Sequence, residues 1–169
     1  MLATFEPEDF ATSEEQRACS RCGPRRAWRR LDVAPVAGGD DSGLTFDTGA
    51  LIGLERRRHA IRRVFGTATE HDIPIVVPMV AIAEWWRRGK HEKQRTAILR
   101  AVRVETLGAH LARLAGIAVG LVPGAGTIDA IVMASAALRG DTVYTSDLDD
   151  LTRLRDRVPE FAGVQVLPA

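Results

Sequence analysis

Cysteine is nearly absent from the 169-residue chain: Cys19 and Cys22 are the two there are, too few for the disulfide framework of a small secreted scaffold. Both thiols are expected to be reduced. A single C-x-x-C with no second pair and no H-x-H to complete it is a poor zinc ligand set. Aromatic residues make up 5% of the chain. The longest apolar stretches, around Ile73 to Ala83 and Leu114 to Val122, are broken by Pro or Gly and fall short of the roughly 20 residues that a bilayer span needs. An excess of one charge is lacking too. Lys plus Arg is 23 against 22 for Asp plus Glu, which excludes a polycation that coats nucleic acid by bulk electrostatics. Any such partner must be held locally. Met1 to Phe10 carries three acids where a secretory signal needs a basic start, so a cytoplasmic location is expected and no membrane partner.

What is present is enough hydrocarbon, 46% of residues, for one core of catalytic-domain size. Residues 1–43 stand apart. They carry six basic and eight acidic side chains, Pro24 and Pro35, Gly38-Gly39 and Asp40-Asp41 near the end, and no sustained apolar period, so they are expected to be a mostly disordered leader. From Leu44 to the end, 17 basic and 14 acidic residues sit in a pattern where short β-like runs alternate with helical periodicity. Candidate strands are Leu44 to Asp47, Ile75 to Val77, Val102 to Thr106, Thr142 to Thr145 and Val164 to Leu167. Candidate helices are Thr48 to Leu54, Arg57 to Glu70, Val80 to Arg88, Glu92 to Arg100, His110 to Leu121, Thr127 to Leu138 and Leu148 to Arg157. That alternation predicts an α/β domain over 44–169 with a mainly parallel sheet of about five strands, each strand covered on both faces.

The placement of the acids carries the functional reading. Asp47 closes the first strand in LTFDTGAL, where it can also cap the following helix. Glu84 lies among Val80, Ile82, Ala83, Trp85 and Trp86, and either pairs with Arg87 or Arg88 or points along the sheet edge. Asp129 sits in the first turn of an apolar helix that Thr127 could cap, where it complements the helix dipole. Asp147 follows the strand TVYTS, with Asp150 at i+3 on the same face; Asp149 faces elsewhere and is expected to be solvated or paired with Arg153. Parallel strands gather their carboxyl ends, so four acids from four segments are expected to meet. Carboxylates packed together oppose folding unless a cation joins them. With oxygen donors and no Cys or His in the set, that cation should be Mg2+ or Mn2+.

Taken in order, D-T near the amino end, E in the helix after the second strand, T-x-D-A opening an apolar helix, and T-S-D-x-x-D-L near the carboxyl end resemble the PIN domain family, and within it the VapC-type toxins. The likeness covers about residues 44–167. It implies a Rossmann-like three-layer α/β/α sandwich and a Mg2+- or Mn2+-dependent endoribonuclease that is the toxin of a type II toxin-antitoxin pair, inhibited by a cognate antitoxin. Asp47, Glu84, Asp129 and Asp147 match the family's acidic quartet and Asp150 an additional acid, with Thr48 and Thr145 as small polar neighbours. Val80 to Arg100 match a helical pair that contributes to dimerisation and antitoxin binding, so a homodimer is expected. On that reading Asp47, Asp129, Asp147 and Asp150 hold metal, while Thr48, Thr145, Ser146, Arg87 and Arg88 face an RNA substrate, Arg being suited to phosphate. Arg56 to Arg58 with Arg62 and Arg63, and Arg87 and Arg88 with Lys90 and Lys93, could form a phosphate-tracking rim. The four histidines lie at no ligand spacing and receive no role. The other reading is a non-catalytic RNA- or protein-binding module on the same fold. A dinucleotide-binding domain is disfavoured because no G-x-G-x-x-G follows the first strand, and a phospho-receiver because no Lys follows Lys93.

Overall fold

A computed structural model describes residues 42–86 and 91–169. The expectation of a disordered leader over 1–43 therefore lies almost wholly outside the described residues, as do Arg87 and Arg88. Five parallel strands, β1 (Leu44–Phe46), β2 (Ile75–Pro78), β3 (Arg103–Glu105), β4 (Thr142–Thr145) and β5 (Val166–Pro168), form one sheet in the order β3-β2-β1-β4-β5. The helices between them are α1 (Thr48–Glu55), α2 (His59–Glu70), α3 (Met79–Trp85), α4 (Glu92–Arg100), α5 (Ala109–Leu121), α6 (Thr127–Arg139) and α7 (Leu148–Arg157). The chain walks outward from β1 to β2 and β3, then crosses back to place β4 on the other side of β1. Leu44 is level with Ile75 on one side and with Thr142 on the other. That reversal makes the β1–β4 seam the switch point, at whose carboxyl edge open α/β sheets hold ligands.

Alternation along the strands divides the core in two. Phe46, Ile75 and Val77 pack with α1–α4 residues Ala50, Leu51, Leu54, Ile61, Ala81, Trp85 and Ile98. Val143 packs instead with Leu114, Ala118, Val132, Met133, Leu151, Leu154 and Phe161 of the α5–α7 layer. The result is a three-layer α/β/α sandwich. Two strands depart from the expected coverage on both faces: β3 and β5 are the sheet's edges, and Val104 and Leu167 are exposed, because an edge strand has a neighbour on one side only.

Local geometry corrects several boundaries. The second helix starts at His59 rather than Arg57, because Arg57 takes a left-handed φ of 58°. Its N–H reaches Leu54 O at 3.0 Å while the Arg58 N–H reaches Gly53 O at 2.9 Å, a Schellman ending for α1 with arginine where glycine is favoured. Thr127 does not cap α6. The helix begins at Thr127, with Gly126 as its N-cap residue and no side-chain cap. The third helix ends at Trp85, short of the expected Arg88.

Two polar networks bind elements that the spacing of the sequence does not connect. On one side, Arg139 joins Asp141, Thr45, Ser135 and Glu105; Asp141, almost fully buried, also accepts from Gly43 N–H and the Thr45 hydroxyl. On the other, the Glu55 carboxylate receives Arg95 through two nitrogens at 3.0 Å and the Trp85 indole at 2.7 Å. The Arg95 hydrogen bonds hold the Glu55 carboxyl below its ordinary range. Trp85, the last residue of α3, is buried, and Trp86, its C-cap, is exposed.

Candidate active site

Asp47 follows β1 and is the N-cap of α1. Its Oδ1 accepts the Ala50 N–H at 2.7 Å and its Oδ2 accepts the Thr145 hydroxyl. Thr145 Oγ1 in turn accepts the Asp147 N–H at 2.8 Å. Thr145, expected to touch substrate, is fully buried and has its hydroxyl committed between the two acids. It is a positioning residue for Asp47, since a side chain with no exposure cannot reach a ligand. The seam between β1 and β4 is close: a Cβ on Gly49 would lie 2.0 Å from Ser146 Oγ and 2.8 Å from Ser146 N, so only glycine lets α1 approach the β4–α7 turn. Ser146 itself is exposed at this edge.

Glu84 projects from α3 toward the same edge. Its Oε2 accepts the Thr48 hydroxyl at 2.7 Å, which ties the helix after β2 to the helix after β1. Asp129, in the first turn of α6, lies over Gly126, where a Cβ would come within 2.3 Å of Asp129 Oδ2. Asp150 pairs with Arg153 at 2.7 Å, and Asp149 is exposed, the solvated alternative expected for it.

The electrostatics show that these acids share one region. Burial pushes the Asp47 carboxyl up to about 6 against hydrogen bonds from Thr145 and Ala50 that pull it down, and Asp129 adds to the push. Burial also raises Asp129, followed by the charges of Asp147, Asp150 and Glu84, while Arg153 opposes them. Asp129 thus feels three of the other acids and acts on the fourth. Five carboxylates from β1–α1, α3, α6 and β4–α7 are brought to the switch-point edge. Arg87 and Arg88 lie outside the described residues.

An oxygen-only donor set with two acids held above their ordinary pKa values suits a hard dication by its chemistry. The donors do not yet close around one: among the described residues, no three His, Cys, Asp or Glu side chains are arranged to hold a metal ion. Asp47 is turned toward Ala50 and Thr145, and Asp150 toward Arg153, so multidentate coordination takes side-chain rotation or bridging water.

Spacing reasoning passed over Gly49 and the pairing of Arg153 with Asp150. The signal for Gly49 was a glycine in the first turn of a helix directly after D-T; for Arg153 it was the i,i+3 relation to Asp150. No helix among the described residues is long and apolar enough to cross a membrane.

No family model matches the sequence, and no curated protein matches it. Solved structures do. A chain in the crystal structure of DNA-bound VapBC from Salmonella typhimurium superposes with a TM-score of 0.57 at 16% identity, covering 75% of this chain and 98% of that one. A chain in the structure of VapBC2 from Rickettsia felis, bound to a DNA fragment from their promoter, gives 0.59 at 12% identity, with 75% and 98% covered. The strand order, the three layers and these superpositions together give the chain the PIN-like fold found in VapBC complexes.

Proposed function

We propose that this chain is a Mg2+- or Mn2+-dependent endoribonuclease that hydrolyses RNA phosphodiesters, acting as the toxin of a type II toxin-antitoxin pair. The observation that carries the reading is the gathering of Asp47, Glu84, Asp129, Asp147 and Asp150 at the switch-point edge, with Asp47 and Asp129 raised. Such a cluster costs folding free energy, and a dication is what offsets that cost. The likeness to chains of VapBC complexes supports an antitoxin as protein partner, and a homodimer accompanies the proposal.

Asp47, Asp129, Asp147 and Asp150 would hold the ion, directly or through water. When bound, the ion supplies an activated water and neutralises charge developing on the phosphoryl oxygens. The residues do the rest. Thr145 fixes the Asp47 carboxylate and, through the Asp147 N–H, the start of the β4–α7 turn. Thr48 fixes Glu84, which either completes the ligand set or orients and deprotonates the attacking water. Ser146 and Thr48 border the edge on which RNA would lie, and Arg87 and Arg88 are its proposed phosphate contacts.

Incubation of RNA with the protein and Mg2+ or Mn2+ tests this. Cleavage is expected, stopped by EDTA and abolished by Asp47→Asn and by Asp129→Asn. Cleavage retained in both variants sinks the proposal. A non-catalytic binding module is the second reading, favoured by the open arrangement of the donors; it predicts RNA binding without turnover and indifference to both substitutions.

A further inference from the structure

We infer that Arg153 is a resident counter-ion of the acidic edge, competing with a divalent ion for Asp150 and Asp129 and so setting how much metal the site requires. The inference rests on the metal-site reading above. Arg153 lies one turn beyond Asp150 on α7. Its Nη2 is 2.7 Å from Asp150 Oδ1 and 3.5 Å from the Gly124 carbonyl oxygen, in the loop that leads into α6 and Asp129. Its Nε is buried yet has no hydrogen-bond partner. An arginine seated for its own hydrogen bonds would have matched that donor. The ion pair with Asp150 holds it, and its effect on Asp129 runs against that of Asp147, Asp150 and Glu84.

The consequence is a competition for oxygens. Arg153 brings one positive charge to Asp150 and toward Asp129, and a dication brings two to the same carboxylates. In a water-like dielectric, the repulsion between a unit charge and a dication sharing one carboxylate cluster is worth on the order of tenfold in a binding constant. Metal entry must therefore work against Arg153, which already holds Asp150 Oδ1. With little metal the arginine moderates the repulsion among the acids, and with more metal the ion replaces it.

Isothermal titration of Mn2+ into EDTA-stripped wild type, Arg153→Met and Arg153→Lys tests the inference, with thermal melts confirming that each protein is folded. Arg153→Met is expected to bind Mn2+ about tenfold more tightly than wild type, and Arg153→Lys, which keeps the charge, to bind as wild type does. Unchanged or weaker binding by Arg153→Met overturns the inference. If that variant fails to fold, Arg153→Gln, neutral but polar, takes its place with the same expectation. Absence of Mn2+ binding by wild type overturns the metal-site reading and this inference with it, whereas a normal wild-type isotherm with an unmoved neutral variant overturns only the role of Arg153.

Discussion

Replacing Asp47 by asparagine should stabilise the metal-free protein at pH 8 while removing its activity. Burial lifts the Asp47 carboxyl from 3.8 to about 6, a gap of about two units. At about 1.4 kcal/mol per unit, the ionised side chain costs the native state about 3 kcal/mol relative to the unfolded chain. The sign follows from proton binding. Between about pH 4 and pH 6 the native state keeps a proton that the unfolded chain has lost, so stability falls as pH rises through that window. The penalty is fully present above about 6 and absent below about 4. An asparagine side chain can still accept the Ala50 N–H, and its amide can donate to Thr145 Oγ1. The neutral variant therefore keeps the cap and sheds the penalty, for a gain of roughly 1–3 kcal/mol at pH 8 once repacking is allowed for. Urea unfolding of wild type and Asp47→Asn in EDTA, at pH 8 and at pH 4, measures this directly. The gain should disappear at pH 4. Mn2+ at about a hundred times its Kd should return about 2.7 kcal/mol to wild type alone. A variant less stable than wild type at pH 8 without metal, or a difference that ignores pH, would refute the reasoning.

Gly49→Ala should cost roughly 1–3 kcal/mol and reduce RNA cleavage, because its Cβ meets Ser146 Oγ at 2.0 Å; Gly116→Ala, with open space around it on α5, should instead gain about 0.5–1 kcal/mol in the same urea titration. Arg57→Gly should raise the free energy of unfolding in the same urea titration by up to about 1 kcal/mol, since φ 58° strains an arginine and not a glycine. Arg139→Met should lower stability by about 3 kcal/mol, because it leaves Glu105 and the buried Asp141 without their cation; a loss under 1 kcal/mol would show that the network contributes little.

Much of the architecture was legible because it is local. Apolar spacing located seven helices and five strands within a few residues of where they lie, and D-T, T-x-D-A and T-S-D marked the junctions at which acids stand. Two local readings went astray for identifiable reasons. Thr127 looked like a cap because its hydroxyl type favours one, yet Gly126 takes that position. Thr145 looked available to substrate because a strand end reads as exposed, whereas packing against Asp47 and the Asp147 N–H buries it completely.

The amino-acid order by itself determined which residues become strand ends and helix starts, because hydrogen bonding and burial periodicity act over three or four positions. Tertiary structure decided which ends meet. Only the crossover that sets β4 beside β1 brings Asp47, Thr145 and Asp147 into hydrogen-bonded contact, and only the layers packed around that seam exclude enough water to push Asp47 to about 6. Strand neighbours and desolvation depend on segments nearly a hundred residues apart, and no local pattern encodes them.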